Sequence, residues 1–314
     1  MKLAQISPND PITALALEGL MKTCPILLDA EFYSKTGNSD NVKKASESSD
    51  TATFRALNAA NNPTAGSRTY ESTGKSIVSF DAKVDVILED RNEDVAPELA
   101  YQTKLEAIER GYVLQEKFFE GDQGSEATEF DGMRNLVTAP NTISPAASIV
   151  LPLGNSDANR KKQQEAYEYF QQRARSIKGG ATHVYMNGLH KIRWLSIAKE
   201  LGYYRLSKDE LGNELEMIGN IIVRDAGLKT NGTDILPNSE VVSGENTTSS
   251  SYFFVRWGER SDLTVLTSKG LVGRYAGQVG NQHINNINMD AALVLQNDRA
   301  LVQSKAWALE ITAP

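Results

Sequence analysis

Residues 78–88 show the clearest alternation of apolar and polar side chains in the chain. Every even position from Val78 to Leu88 is apolar, and every odd position except Ile87 is polar. A period of two predicts a strand with one buried and one solvated face. A strand of 11 residues would reach about 36 Å. It is long beside the usual strand of about 5–6 residues, and this favours an extended hairpin over a compact barrel.

A long helix is predicted over 95–120. Pro97 suits its first turn and Gly121 ends it. At a rise of 1.5 Å per residue this helix would span about 39 Å. Gly111 inside it indicates a close approach by a neighbouring element. The predicted apolar stripe has helical spacing and consists of Tyr101, Leu105, Ile108, Tyr112 and Phe119.

Two further helices are predicted by their caps and apolar spacing. One runs from Asp157 to Ile177, with Ser156 or Asp157 as its cap. The other follows Asn187 and ends at Gly202. The apolar face of the latter consists of Ile192, Leu195, Ala198 and Leu201. A short helix before Pro25 is also compatible with the sequence.

The remaining segments divide into short strands and polar loops. Residues 34–53 have no apolar face, which is typical of an exposed arm, and 229–251 form a polar loop. Asn297-Asp298 favours a hairpin turn between the last two strands. The strand candidates are 183–186, 218–223, 252–257, 263–267, 291–295 and 300–311.

Composition narrows the class of protein. The 314 residues are 40% hydrophobic and 23% charged, a composition typical of folded soluble proteins. A membrane span needs about 18 consecutive apolar residues, and no run in the chain is that long. We therefore predict no membrane partner. A single cysteine, Cys24, excludes an intramolecular disulfide. The net charge of −7 argues against a whole surface built to bind nucleic acid.

Candidate chemistry is sparse. The histidines His183, His190 and His283 lack carboxylates at metal-ligand spacing. Cys24 has no identifiable base and is interpreted as a small buried hydrophobe. No HExxH, GxSxG, P-loop or GxGxxG pattern occurs. We predict no catalytic, metal or cofactor site and no enzymatic activity; a hydrolase with an unrecognised site, using a residue such as His183, is the rival of a different class.

One basic cluster lies on the helix predicted over 157–177. Against the acidic Asp157, Glu165 and Glu168, the cluster gives a local charge of +3. It is either a phosphate-facing patch or an ordinary solvated helix face, and the residues alone favour the second interpretation. The cluster consists of Arg160, Lys161, Lys162, Arg173, Arg175 and Lys178.

Several segments, in this order, resemble the major capsid proteins of tailed bacteriophages with the HK97-type fold. They are CPILLDAEF, ATFRALNAANNPTAG, KFFEGDQGSEATEFDGMRNLV, VYMNGLHKIRWL, VRWGERSDLTVLTSKG and AALVLQNDRALVQSKAWALEI. Within the third segment, the pair Gly121-Asp122 is followed by Phe130-Asp131-Gly132-Met133. The resemblance extends over nearly the whole chain.

The resemblance implies an α+β fold with an N-terminal arm, an extended E-loop hairpin, a long spine helix, a peripheral (P) domain and an axial (A) domain. The implied boundaries are 1–53 for the arm, 54–93 for the E-loop, 94–186 for the spine helix and P-domain, 187–284 for the A-domain, and 285–314 for strands returning to the P-domain.

The same resemblance implies a function. Hexamers and pentamers would close into an icosahedral shell around double-stranded DNA, assembled in the host bacterial cytoplasm with a scaffolding protein, a portal and decoration proteins, and without cofactors. An encapsulin-type nanocompartment shell and another structural phage protein are the alternatives. Lys75 and Lys83 lie where some relatives form a covalent cross-link, and we predict none here. The implied E-loop contacts to neighbouring copies are Phe54, Arg55, Arg68, Tyr70, Lys75, Phe80 and Lys83.

Overall fold

The computed structural model describes residues 1–37, 39–45, 68–87, 95–145, 147–154, 156–208, 214–241 and 248–310. In this part of the chain two mixed sheets, a separate two-stranded hairpin and several helices are formed. The helices are α1 (Leu3–Ile6), α2 (Pro11–Thr23), α3 (Ile26–Asp29), α4 (Val95–Glu120), α5 (Met133–Leu136), α6 (Asp157–Ser176) and α7 (Gly188–Glu200), with 3-10 turns at Ala139–Asn141 and Asp298–Ala300. The strands are β1 (Phe32–Ser34), β2 (Ser39–Ala45), β3 (Arg68–Gly74), β4 (Ser76–Asp85), β5 (Thr142–Ile143), β6 (Ile149–Leu151), β7 (His183–Met186), β8 (Tyr204–Lys208), β9 (Glu214–Ile218), β10 (Ile221–Asp225), β11 (Glu240–Val241), β12 (Thr248–Val255), β13 (Leu263–Thr267), β14 (Leu271–Val279), β15 (Gln282–Leu295) and β16 (Leu301–Leu309).

The first sheet has the strand order β1–β13–β15–β14, with β4 also paired to β15. Phe80, Ala82 and Val84 of β4 are buried while their neighbours are exposed, which confirms the predicted two-faced strand. The strand runs antiparallel to β15, from Ser76 opposite Ala291 to its far end. Its partner is therefore a strand of the core sheet, which corrects the expectation that it forms a leg of an extended hairpin.

The second sheet has the order β5–β16–β12–β7–β10–β9–β8, with β6 on β16 and β11 on β12. Its central strands are buried on both faces. Val184 and Phe254 face a core shared with α6 and α7, whereas Tyr185 and Phe253 face the first core. On that side the ring of Phe119, at the end of α4, lies 5.7 Å from Tyr185. Strands buried on both faces have continuous apolar runs, so their sequence shows no alternation.

The strands β15 and β16 are consecutive in the chain but belong to different sheets. The hairpin turn predicted at Asn297-Asp298 is wrong. The chain passes between the sheets through a 3-10 turn in which the Asn297 side chain accepts a hydrogen bond from the Arg299 amide at 3.1 Å. The strand predicted over 218–223 is likewise two strands, β9 and β10, joined at Gly219, whose φ of +65° suits glycine.

The implied domain boundaries at 186/187 and 284/285 do not coincide with the way in which the chain is divided between the two hydrophobic cores. Helix α6 precedes the first boundary and α7 follows it, yet both pack on the second sheet. Strands β13 and β14 lie within 187–284, yet they belong to the first sheet, against which α4 packs. Strand β16 lies within 285–314 and belongs to the second sheet. Strand pairing between distant segments decides these memberships, and a local pattern does not carry that information.

The N-terminal residues are packed into the first core. Leu3, Leu20, Ile26 and Phe32 are fully buried, and β1 pairs in parallel with β13. Residues 1–34 of the arm implied over 1–53 are therefore part of the first core. Their apolar positions are spread over three short helices, too short to give a clear period. Within the segment 34–53, which was expected to be an exposed polar arm, Ser39–Ala45 form strand β2.

Helix α4 has the predicted bounds but buries a different face. Tyr101 and Leu105 of the predicted stripe are 61% and 40% exposed, and only Phe119 is buried. The buried face includes the polar Thr103 and Gln115, because Thr103 bonds the Leu99 carbonyl and Gln115 donates to the Ala226 carbonyl at 2.9 Å. The full buried set is Leu99, Thr103, Ala107, Gly111, Leu114, Gln115, Phe118 and Phe119. In α7, likewise, the predicted apolar face is not wholly covered, since Ile192 is 67% exposed.

The close approach predicted at Gly111 is confirmed. Helix α2 crosses α4 so closely that a Cβ on Gly111 would collide with the hydroxyl of Thr23. That hydroxyl instead donates to the Ile108 carbonyl at 2.9 Å. On the opposite helix, a Cβ on Gly19 would lie 2.7 Å from the Cβ of Ala107. One glycine on each helix thus sets the distance between the helix axes.

Candidate assembly surfaces and the basic helix

The hairpin, meaning β2 and β3, is a two-stranded sheet of its own. Its backbone register runs from Ser39 opposite Gly74 to Ala45 opposite Arg68. Seven residues per strand extend about 23 Å. Isolated two-stranded hairpins are marginally stable in water, so a surface that covers the hairpin would stabilise it.

The base of the hairpin is held by Lys75, the single residue between β3 and β4. Its side chain is only 1% exposed. The Lys75 ammonium donates to the carbonyls of Lys35 and Gly37, the latter at 3.0 Å, and to the Ser268 hydroxyl at 3.0 Å. The carboxylate of Asp290 lies 3.6 Å away. One side chain therefore joins the residues that enter the hairpin to the strand that leaves it.

Asp290 completes this cluster. Its carboxylate accepts hydrogen bonds from the Ser268 hydroxyl and from the Ser268 amide, the latter at 2.9 Å. Burial by itself raises the pKa of Asp290, but the bonds from Ser268 and the charge of Lys75 outweigh it, so the pKa is lowered overall. The carboxylate thus stays ionised opposite the ammonium. Nothing in the sequence signals this pair, because 215 positions separate its members.

The candidate E-loop contact residues are placed very differently. Lys75 and Phe80 are buried within their own chain, so the expectation that they contact a neighbouring copy is corrected. Lys83 is exposed on β4, 3.8 Å from Asp81. Arg68 and Tyr70 lie on β3, where only the backbone is described, and Phe54 and Arg55 lie outside the described residues.

The basic cluster divides into two groups on α6. Arg160, Lys161 and Lys162 lie in the first turns, and Arg173 and Arg175 lie in the last turn, about 20 Å away. The first group is next to the positive end of the helix dipole and the second next to the negative end. Lys178 follows the helix, and all six residues except Arg173 are exposed.

Arg173 differs from the rest of the cluster. It is half-buried, its Nε makes no hydrogen bond to the described residues, and burial lowers its pKa. The buried side of α6, formed by Ala166, Phe170 and Ala174, lies against the second core. The exposed members of the cluster are therefore accessible to an external polyanion.

The histidines lie in hydrogen-bonded interior positions. His190 contacts the Tyr252 hydroxyl through Nδ1 at 2.7 Å and the Asn238 side-chain oxygen through Nε2 at 2.9 Å. Because the Asn238 oxygen only accepts, Nε2 carries the proton and Nδ1 accepts from Tyr252. The Trp194 indole donates to the same hydroxyl at 3.1 Å. This network satisfies the polar atoms of a packed core.

Burial lowers the pKa of His190 to about 4, and the charge of Arg193 acts in the same direction. Burial also lowers the pKa of His183 to about 4, although the Asp29 carboxylate opposes the shift. Unfolded histidine titrates near pH 6.5. Below that pH the unfolded chain binds protons that the folded chain excludes, so stability is complete above pH 6.5 and is lost as the pH falls towards 4.

We expect each of these two histidines to reduce the free energy of unfolding by about 2 kcal/mol between pH 6.5 and pH 5. Urea denaturation followed by tryptophan fluorescence at the two pH values measures the total loss. The His190→Gln variant, which does not titrate, should lose about 2 kcal/mol less than the wild type over this interval. Equal losses in the two proteins would contradict the assignment.

Other candidate chemistry finds no support in the described structure. Cys24 is fully buried, and burial raises the pKa of its thiol. The described residues contain no group of three or more His, Cys, Asp or Glu side chains able to hold a metal ion. Within the same ranges, no helix is long and apolar enough to cross a membrane.

Solved structures of shell proteins resemble this chain over most of its length. A holo-SrpI encapsulin complex from Synechococcus elongatus PCC 7942 is 10% identical with a TM-score of 0.60, covering 91% of this chain and 89% of that chain. The capsid of a native GTA particle is 12% identical with a TM-score of 0.56, covering 89% and 88%. A structure from Mycobacterium phage Bobi is 10% identical with a TM-score of 0.53, covering 92% and 91%.

No protein-family model and no curated protein matches the chain. The likeness is therefore one of shape, at identities too low to carry a function. Phage capsids and encapsulins share the HK97 fold, and this chain has that fold over about nine-tenths of its length.

Proposed function

We propose that this chain is a shell-forming structural protein, the major capsid protein of a tailed bacteriophage. Copies would assemble as hexamers and pentamers into an icosahedral shell around double-stranded DNA. The observation that carries the proposal is the HK97 fold combined with a hairpin that forms a two-stranded sheet apart from both cores. Such a hairpin gains stability from a neighbouring copy.

The outer face of α4 supports contacts between copies. Tyr101 and Leu105 are exposed at i,i+4 spacing on one side of the helix, and Ile108 and Tyr112 continue the stripe as half-buried residues. Contiguous apolar surface of this kind marks interaction sites. We propose that the partner of this apolar stripe is another copy of the chain.

Negative-stain microscopy of the expressed chain tests the proposal, with closed shells of regular diameter as the expected result. Tyr101→Lys combined with Leu105→Lys should abolish shells and leave the circular dichroism spectrum unchanged, because both side chains are exposed in the single chain. The matched control, Tyr101→Phe with Leu105→Met, keeps the stripe apolar and should assemble. A wild-type chain that stays monomeric under all assembly conditions would overturn the proposal.

An encapsulin-type nanocompartment is the second candidate function, favoured by the TM-score of 0.60 to an encapsulin complex. The two functions differ in what the particle encloses. Nuclease-protected DNA in particles purified from infected bacterial cells supports a virion capsid, assembled in the host cytoplasm with a scaffolding protein, a portal and decoration proteins. Protein cargo without DNA supports the nanocompartment. In either case we propose a structural role without catalysis.

We further propose that the exposed residues of the basic helix α6 face the packaged DNA. Phosphate contacts by lysine and arginine are non-specific and depend on salt, and this suits a container that must hold any sequence. The net charge of −7 over the whole chain keeps the global attraction weak. A local basic surface then contacts the genome without immobilising it.

The variant Lys161→Glu, Lys162→Glu, Arg175→Glu should form shells of normal diameter that retain several-fold less DNA than the wild type. These three side chains are exposed, so the fold should tolerate the change. The control Lys161→Arg, Lys162→Arg, Arg175→Lys preserves the charge and should package normally. DNA per particle is measured from absorbance and nuclease protection. Normal packaging by the glutamate variant would remove the DNA-facing role.

A further inference from the structure

The junction between the hairpin and the first sheet is closed by one buried ammonium. Lys75 lies where the chain leaves β3 and enters β4. Its carbonyl partners, Lys35 and Gly37, lie just before β2, at the point where the chain enters the hairpin. The backbone of Gly37 has a φ of +123°, a conformation that favours glycine. Both legs of the hairpin are therefore held by the same side chain.

The far side of the junction is fixed to the core sheet. Ser268 follows β13 and Asp290 lies on β15 opposite Ile77 of β4. The Ser34 hydroxyl donates to the Ser268 carbonyl at 2.7 Å, and the Lys35 amide donates to the Thr267 carbonyl at 2.8 Å. The ammonium thus connects the hairpin legs to the first sheet, through Ser268 directly after β13 and Asp290 on β15.

We propose that Lys75 is a positioning residue that fixes the hairpin at one angle to the first sheet, so that it is presented in the same way in every copy before assembly. This inference rests on the proposed shell function only for its consequence, regular assembly. The local claim stands on the geometry: a charged donor enclosed at the only residue between two strands, shared by both legs of the hairpin. A lysine that donates hydrogen bonds to two carbonyls and a hydroxyl, with a carboxylate 3.6 Å away, has little freedom to move.

The alternative is that Lys75 only stabilises the fold as a whole. The two roles predict that removal of the ammonium destabilises different parts of the chain. A positioning role predicts a change confined to the hairpin, because without the ammonium the legs are joined to the sheet by fewer bonds. A general structural role predicts a loss spread over both cores.

Hydrogen exchange of the full-length chain, purified before assembly, separates these roles. Lys75→Met should accelerate exchange of the amides in 39–45 and 68–74 by about tenfold or more, with the amides of α4 and β7 unchanged, and its shells should be absent or irregular. The control Lys83→Met removes an exposed ammonium from the neighbouring strand and should match the wild type. Unchanged hairpin exchange in Lys75→Met would overturn the inference.

The Asp290→Asn variant provides a second, milder test. It removes the ionic partner, keeps the side-chain shape, and should accelerate exchange in the same two segments by a smaller factor. If Lys75→Met fails to fold, this variant decides the question, and exchange accelerated throughout both cores would overturn the positioning role. If the wild type forms no shells, the proposed function fails, while the exchange comparison still decides the role of Lys75.

Discussion

Replacing Asp29 with alanine is expected to lower the free energy of unfolding by about 3–5 kcal/mol. The Asp29 carboxylate is almost fully buried and accepts two hydrogen bonds from the guanidinium of Arg224, from Nη2 at 2.7 Å and from Nε at 3.0 Å. Tyr185 donates a further bond at 3.1 Å. Removal of the carboxylate takes two charge-assisted hydrogen bonds away from a largely buried guanidinium.

This cluster connects parts of the chain that are far apart in sequence. Asp29 ends α3 in the N-terminal segment, whereas Arg224 and Tyr185 lie on β10 and β7 of the second sheet. The Trp257 indole donates to the Tyr185 hydroxyl at 3.1 Å and extends the network. The N-terminal segment is thus fixed to the second sheet by a charge pair in addition to its apolar contacts.

Chemical denaturation followed by tryptophan fluorescence measures the effect. The control Glu109→Ala removes an exposed acid from α4 and should change stability by no more than about 0.5 kcal/mol. The double variant Asp29→Leu with Arg224→Leu should recover much of the loss, because an apolar pair often replaces a buried ion pair at little cost. A loss below about 1 kcal/mol for Asp29→Ala would contradict the assigned role.

Replacing Gly132 with alanine is expected to cost about 3 kcal/mol, although its backbone conformation is open to any residue. Gly132 has φ −79° and ψ 175°, so the loss would not come from backbone strain. A Cβ at this position would lie 2.7 Å from the carbonyl carbon of Phe119 and 2.8 Å from the Lys117 oxygen. Both are backbone atoms of α4 and its end, which have no rotamer with which to move away.

The same contact explains the segment around Gly121-Asp122 and Phe130-Asp131-Gly132. The Gly132 amide donates to the Gly121 carbonyl at 2.8 Å, closing a loop that returns to the end of α4. Asp122 accepts from the Gly124 amide at 2.9 Å, and Asp131 accepts from the Gln123 amide at 3.0 Å. The glycines allow the loop backbone to approach the end of α4 closely, and the aspartates accept hydrogen bonds from backbone amides of the turn.

Gly124→Ala is the matched control for Gly132→Ala, since it lies in the same loop. A Cβ there would meet only the side-chain oxygen of Asp122, at 3.2 Å, and that side chain can adjust. We expect a change of no more than about 1 kcal/mol for the control. Thermal and urea unfolding of both variants measure the difference, and equal losses would show that contact with the α4 backbone is not the cause.

Several local structural signals were interpreted correctly from the sequence. The bounds of α4, the caps Ser156 and Asn187, and the two-faced strand β4 were all predicted and are confirmed. The glycine at 111 was correctly interpreted as a contact point. Apart from the contact at Gly111, each of these features depends on neighbours within a few residues, through hydrogen bonds of a helix end or the period of a strand.

The sequence did not show which face of an element is covered by another part of the chain. The stripe on α4 was correctly identified as apolar, but α2 and the first sheet cover the opposite face, where Thr103 and Gln115 find hydrogen-bond partners. Periodicity locates an apolar face but does not show whether the same chain covers it. In an assembling protein an apolar face left exposed by the fold is a candidate for contact between copies.

The candidate site shows the same limit. The basic residues of α6 were found by counting charges along one helix, and their exposure is confirmed for all but Arg173. The buried contact between Lys75 and Asp290 was missed, because a lysine between two strands and an aspartate far along the chain share no sequence signal. Only the pairing of β4 with β15 brings them together.

By itself the sequence determined the helices α4, α6 and α7, the strand β4, the absence of an intramolecular disulfide and, through the order of its segments, the class of fold. The tertiary structure decided which parts of the chain contact one another. Strand β4 pairs with β15, Asp29 bonds to Arg224 of the second sheet, and Lys75 donates to carbonyls of its own chain. Hydrogen bonding along a helix and alternation along a strand are set by adjacent residues. Burial and pairing are set by residues brought together from distant parts of the chain, and their free energy is realised only in the folded molecule.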